Sequence, residues 1–263
     1  MRLLIFPMLA SAACLMSSAH AQEARSDGSP HGQVALGIGA APEFDGSDDL
    51  RLIPFALADI QMGGVTFELR GLRARLDLVS DRRLAIGPMV GARLDRNDVD
   101  GPVGLLPEID LALEAGGYVG YRIGGDELGQ GALQLELTIL HDISNTHNGL
   151  LATAGASYTA VRQRDSFLSF DVQTTWANAD YTRTYFGITT ADAARSGLDA
   201  YRPGSGIRDV GLGVNAGYYF SRDLGIIGRV GTNYLVGDTA DSPITELGSR
   251  WQPIGGVTLS FRF

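Results

Sequence analysis

The sequence predicts an all-β fold, a transmembrane antiparallel up-and-down β-barrel of about twelve strands preceded by a cleaved signal peptide. Three observations predict it. The chain opens on an export signal, alternates apolar and polar residues almost throughout, and stops on an amphipathic run, GGVTLSFRF (255–263). In that run Val257, Leu259, Phe261 and Phe263 take every second position, with Gly256, Thr258, Ser260 and Arg262 between them. Period two gives a strand one apolar and one polar face.

The opening, MRLLIFPMLASAACLMSSAHAQ, has Arg2, an apolar run from Leu3 to Met16, and small residues ending in Ala19-His20-Ala21. This is the three-part form of a secretory signal, and its run is too short to span a bilayer as a mature helix. Cleavage after Ala21 (signal 1–21) leaves one domain, 22–263. A lipoprotein signal ending at Cys14 fits less well, because Ser11 stands where a large aliphatic residue belongs. Cys14 is the single cysteine, so the mature chain carries none. That excludes disulfides, thiolate metal sites and cysteine nucleophiles.

No stretch downstream of the signal reaches the ~20 apolar residues of a membrane helix. The formal charge is −9 and all 21 basic residues are arginines. The absence of lysine excludes a Walker-type phosphate lysine and a Schiff-base lysine, and an acidic chain without a basic stripe argues against nucleic acid as a partner.

The alternation recurs along the chain. Val210, Leu212, Val214, Ala216, Tyr218 and Phe220 oppose Asp209, Gly211, Gly213, Asn215 and Gly217, and Leu133, Leu135, Leu137 and Ile139 oppose Gln134, Glu136 and Thr138. Runs of about 10 to 14 residues exceed ordinary soluble strands and suit tilted membrane crossings. Twelve strands are expected at 33–42, 51–61, 64–79, 84–95, 110–124, 131–142, 149–162, 166–177, 180–188, 207–220, 223–237 and 254–263. In 64–79 the apolar face flips across Arg70-Gly71, which a turn or a glycine bulge explains; the bulge is preferred because a two-residue link is tight. Only TADAARSGL (190–198) reads as a short helix, inside a loop. An even count returns both termini to the periplasmic side, with the long connections 43–50, 189–206 and 238–253 extracellular. By this parity 96–109 faces the periplasm, where turns should be short.

The polar face then lines a lumen carrying Glu68, Arg70, Arg73, Arg75, Asp77, Arg93, Glu114, Arg122, Glu136, Asp171, Arg183, Arg229 and Arg262. Both signs are present, so ion pairs can lace the lumen shut; alternatively, a narrow pore selects anions through its arginines. Tyr121, Trp176, Tyr181, Tyr185, Tyr218 and Tyr234 are expected at strand ends or in an aromatic girdle, with Tyr118 and Tyr219 pointing inward. Val257, Leu259, Phe261 and Phe263 resemble the C-terminal signal read by barrel-assembly machinery, and the closing strand pairs with the first to leave no bare edge.

Two constellations invite chemistry. HDISNTHNG (141–149) offers His141, Asp142, Ser144, Asn145 and His147, but Asp, Ser, Asn and Gly are also what a polar turn uses. The acidic loops FDGSDD (44–49) and GDTADS (237–242) invite calcium, yet neither has EF-hand spacing. No catalytic residue, metal or cofactor is assigned from them.

PEFDGSDDLRLIPFALADIQ (42–61), LAIGPMVGARLDRND (84–98), YFGITTADAARSGLDAY (185–201), DVGLGVNAGYYF (209–220) and LVGDTADSPITELGSR (235–250) together resemble the MipA/OmpV family, the MltA-interacting proteins. The resemblance spans nearly all of the mature chain. It implies an outer-membrane barrel and a non-enzymatic scaffold or envelope-interaction role near peptidoglycan synthesis, with a murein hydrolase or synthase as partner. It supplies no catalytic residues. The expected surroundings are outer-membrane lipid and lipopolysaccharide. Alternatives are a small-solute channel, a lipid-modifying barrel enzyme using Ser144 and His141, and a soluble periplasmic β-protein.

Overall fold

The structure, a computed structural model, describes residues 30–263; the signal-peptide expectation for 1–21 lies outside the described residues. Twelve antiparallel strands close into a barrel: β1 (His31–Pro42), β2 (Leu50–Met62), β3 (Val65–Arg70), β4 (Arg73–Asp77), β5 (Leu84–Arg93), β6 (Ala112–Ile123), β7 (Leu133–Asp142), β8 (Leu150–Arg162), β9 (Ser166–Ala177), β10 (Gly206–Tyr219), β11 (Leu224–Leu235) and β12 (Trp251–Arg262). Each strand pairs with its sequence neighbours, and β1 closes on β12 in the register Leu36↔Leu259. Closure satisfies every ladder, which a bilayer demands.

The alternation sorts side chains as expected. Leu36 is 72% exposed and Leu52 81%, and Leu212, Ile226, Val230, Val257, Leu259 and Phe261 share the same outer face. So large an apolar exposure is stable only against lipid. Tyr121, Tyr218 and Trp251 are exposed on this surface, whereas Tyr118 and Tyr219 point inward and are buried.

Twelve strands form, but not the twelve that the period-two pattern predicts. Residues 64–79 form two strands, not one bulged strand. Arg70 pairs with Arg73 across Gly71-Leu72, and Gly71 at φ +56° adopts the left-handed conformation that a two-residue link requires. The hairpin itself swaps the parity of the apolar face, since Phe67 pairs with Leu76. Residues 180–188 are no strand: Ala179–Phe186 is a helix, α1. The Asn178 side chain caps it by accepting from the Tyr181 N–H, and Asp180 lies in its first turn. A second helix, α2 (Thr190–Ser196), fills the short helix expected in 190–198, held by a Thr189/Asp192 capping box.

The extra hairpin moves every connection between Leu72 and Asn178 to the opposite side from that expected. With the termini and short turns periplasmic, 96–109 therefore lies on the extracellular side and not on the periplasmic one. It belongs to an extracellular cap. Its Val103 and Leu106 pack on Ile188 and on Ile244 of α3 (Pro243–Leu247), with Phe44 beside them.

Candidate functional site: the filled lumen

Side chains from non-neighbouring strands meet across the lumen in tiers. At the extracellular mouth, α1 is inserted with its Tyr181, Tyr185 and Phe186 buried. The helical spacing of Tyr181 and Tyr185, four residues apart, turns both rings inward. Asp45, from the β1–β2 loop, accepts a 2.7 Å hydrogen bond from the Tyr181 hydroxyl. It lies 3.7 Å from Arg93 on β5 and 3.4 Å from Arg208 on β10. Those strands are separated by four others on one side and six on the other, so one carboxylate bridges the full width of the barrel. Burial opposes ionisation of Asp45, but Arg208 and then Arg93 outweigh it and hold its carboxyl below the usual range. The Tyr181 hydroxyl is pushed well up by burial.

Arg93 continues the network. Its guanidinium holds Glu114 at 3.0 Å and stacks 4.8 Å from the Tyr181 ring. Glu114 is also 3.4 Å from His147 Nε2. His147 Nδ1 accepts the Gly149 N–H at 3.0 Å, which places the ring hydrogen on Nε2, toward Glu114. Arg96, reaching in from the 94–111 loop, donates to the backbone carbonyls of Tyr185 and Pro107 and so ties that loop to α1. Burial lowers its guanidinium to about 10. A cavity of ≈ 50 Å³ remains among Asp45, Arg93, Arg96, Tyr185 and Arg208, enough for a few waters only.

The middle tier joins β9, β10 and β11. Arg229 grips Asp171 with two prongs, at 2.7 and 3.0 Å, and donates to Asn215 at 2.8 Å; Asn215 in turn donates to Asp171 at 2.8 Å. Gly213 sits beneath this fork. A Cβ there would meet Arg229 at 2.7 Å and Asp171 at 2.8 Å, so a residue without a side chain makes room for the ion pair. Below it Glu68 on β3 accepts from Arg70 at 3.1 Å and Arg75 at 2.9 Å, and Arg75 also donates to Glu136 on β7. Arg70 also pairs with Asp59 at 3.3 Å, and Arg75 stacks 4.4 Å over Tyr118. Buried charges are tolerated only when paired and hydrogen-bonded in this way.

The expected lumen charges Glu68, Arg75, Arg93, Glu114, Glu136, Asp171 and Arg229 are thus brought into ion-pair networks, Asp171 and Arg229 along one wall, and Arg122 faces the periplasmic end of the lumen. Arg183 does not belong. The segment is helical, so Arg183 points away from Tyr181 and Tyr185, is exposed, and donates to the Pro203 carbonyl at 3.3 Å. Tyr181 and Tyr185 are correspondingly plug residues, not girdle residues. Asn215 lies on the lumen face that the period-two count gives it, whereas Asp45, Arg208 and His147 reach the lumen without that count placing them there. Asp45 and His147 enter from loops, whose direction period-two counting does not give. Arg208 sits at a register shift between Ile207 and Asp209, where that counting fails.

The other sequence candidates resolve simply. His141 is on the outer face and Asp142 on the inner face of β7, while Ser144 Oγ donates to Asp142 at 2.6 Å. These groups form a turn, not a nucleophile–base pair. In the acidic loops Asp238 accepts from the Gly204 N–H and Asp241 pairs with Arg250. Among the described residues no group of three or more His, Cys, Asp or Glu is placed to hold a metal. Phe263 extends the β1–β12 ladder through reciprocal 3.0 Å bonds with Gly32, and its ring stacks 6.5 Å from Phe261 on the outer face.

A closed antiparallel sheet with an apolar outer surface and a charged, plugged interior defines an outer-membrane-type β-barrel. The model of the family described as MipA, MltA-interacting protein, matches residues 34–263, and the chain belongs to that family. Its place is the bacterial outer membrane. Similar solved structures include OmpT of Vibrio cholerae, 8% identical over 89% of this chain and 97% of that one, TM-score 0.36. An outer membrane channel of Pseudomonas putida F1 is 11% identical over 89% and 95%, TM-score 0.39. The N-terminal β-barrel domain of Pseudomonas aeruginosa OprF is 10% identical over 89% and 100%, TM-score 0.27. No curated protein matches the chain.

Proposed function

We propose that this barrel is a non-enzymatic envelope-interaction protein, a scaffold presented to the periplasm, and not a solute channel. The observation that carries the reading is the lumen filled across its width, from Asp45–Arg93–Arg208 at the mouth to Glu68–Arg75–Glu136 below. A pore must let its solute shed and regain partners at each step. Here the polar groups are already bound to one another, and α1 occupies the entrance. The family's description as MltA-interacting supports a murein hydrolase as the class of partner.

The test is retention of a purified murein lytic transglycosylase by the folded barrel in detergent. Deleting 97–108, which lies on the extracellular side, should leave retention intact. Replacing the periplasmic turns 78–83 and 163–165 by glycine-serine linkers should weaken it several-fold. A barrel that retains nothing, or that loses binding only with 97–108, contradicts the proposal.

A further inference from the structure

The periplasmic end of the lumen is built differently from the rest. Three arginines point into it: Arg122 near the end of β6, Arg162 at the end of β8 and Arg262 at the end of β12. Arg162 reaches the lumen because a register shift between Thr159 and Val161 resets the parity of β8, leaving it paired with inward-facing Phe167. Among the described residues neither Arg162 nor Arg262 has a carboxylate within ion-pair distance. Asp59 acts on Arg162 only from further off while itself holding Arg70. Arg162 instead feels Arg262 and Arg122 as like charges.

Aromatic faces hold both cations in place. The Arg262 guanidinium lies 3.1 Å from the centroid of the Tyr219 ring and the Arg162 guanidinium 5.5 Å from that of Phe167. Tyr219 is fixed in turn, donating to Gln33 at 2.7 Å and sharing a 2.9 Å bond with Ser260. Arg262 also donates to the Arg164 carbonyl at 3.2 Å. A guanidinium lying against a ring keeps its N–H edge free for a planar oxyanion, and the edge fits a carboxylate with two parallel bonds. All three arginines are half-buried, hence reachable. Because α1 seals the other end, the approach is from the periplasm.

We propose that this mouth is a carboxylate-binding site that takes an acidic peptide segment presented from the periplasm. Phospholipid headgroups fit less well, because they surround the outer face and these guanidiniums point to the inner one. The site rests on the reading of the barrel as an interaction protein and supplies the chemistry by which a partner would be held. It takes an acidic segment and rejects its amide counterpart.

The test is calorimetric titration of the full-length folded protein in detergent with N-acetyl-tetraglutamate, N-acetyl-tetraglutamine and inorganic phosphate. Tetraglutamate should bind the wild type, weaken as salt is raised, and weaken by about tenfold or more in Arg162→Gln/Arg262→Gln, a loss of at least one fork-type contact. Arg162→Lys/Arg262→Lys should fall between, keeping charge but losing the fork. Heat-modifiability on gels confirms that each variant is folded, and the tetraglutamine and salt comparisons need only the wild type. No tetraglutamate binding, equal binding of tetraglutamine, equal binding by the double Gln variant, or phosphate bound as tightly as the peptide would each overturn the site. A conducting barrel would overturn the proposed function and leave this binding result standing.

Discussion

The two mouths of the barrel use the same residue types to opposite ends. At the extracellular mouth Arg93 and Arg208 are buried and matched by Asp45, Glu114 and Asp209, with tyrosine rings from α1 closing the gaps. At the periplasmic mouth Arg162 and Arg262 lie half-buried on Phe167 and Tyr219 with no carboxylate of the described residues within ion-pair distance. Arginine paired inside a low-dielectric interior closes a structure, because separating the pair leaves a buried charge. Arginine laid on a ring at a wet rim costs little to expose and stays available. The contrast divides the molecule into a sealed half and a receptive half.

The comparison breaks most severely if a buried pair is cut. Asp171→Ala leaves Arg229 without its two-pronged partner and should cost about 3–5 kcal/mol, read as a marked fall in the temperature at which the barrel shifts on a heat-modifiability gel. A shift no larger than that of an outer-surface substitution such as Leu212→Ala would remove the tiers from the account. Next in size is the closing strand. Deleting Phe263 removes the last ladder bonds to Gly32 and the outermost aromatic ring. Outer-membrane levels should drop several-fold, and normal levels would show that the ending plays no part in assembly.

The pH response sharpens the extracellular half. The Asp45 carboxyl is held below its ordinary value, so its contribution is fully present above about pH 4 and is lost as pH falls through the lower folded value. Thermal stability should decline on acidification below that point, and Asp45→Asn should show a shallower decline; parallel curves would contradict the assignment. The smallest effect belongs to the other mouth. Arg162→Gln should change stability by no more than about 0–1 kcal/mol. A loss comparable to that of Asp171→Ala would mean that Arg162 is structural.

The strand pattern was legible because lipid and lumen impose opposite polarity on alternate residues, and that holds for β6 to β12 almost residue by residue. The count of twelve holds because the strand added at Arg73–Asp77 offsets the one that 180–188 does not form. Flipped parity across Gly71-Leu72 looks the same for a bulge and for a hairpin, so the sequence pattern does not separate them. In 180–188 Tyr181, Arg183 and Tyr185 alternate with threonines as a strand would, while the Asn178 cap and the first-turn Asp180 mark a helix just as openly. Between those two positions the pattern alone predicts the inverse topology, with 96–109 on the periplasmic side. The lumen charges on strands were readable from parity; the loop-borne Asp45 and His147 were not, since only the folded cap shows where loops enter.

Ion conductance across a planar bilayer tests the central claim, a lumen sealed at its extracellular mouth, most directly. Wild-type protein should give no steady current, and Tyr181→Ala combined with Asp45→Ala, which removes the plug ring and the carboxylate joining Arg93 to Arg208, should give one. Steady conductance of the wild type, with anion selectivity that changes on Arg229→Gln, would contradict the sealed lumen and make the barrel a channel.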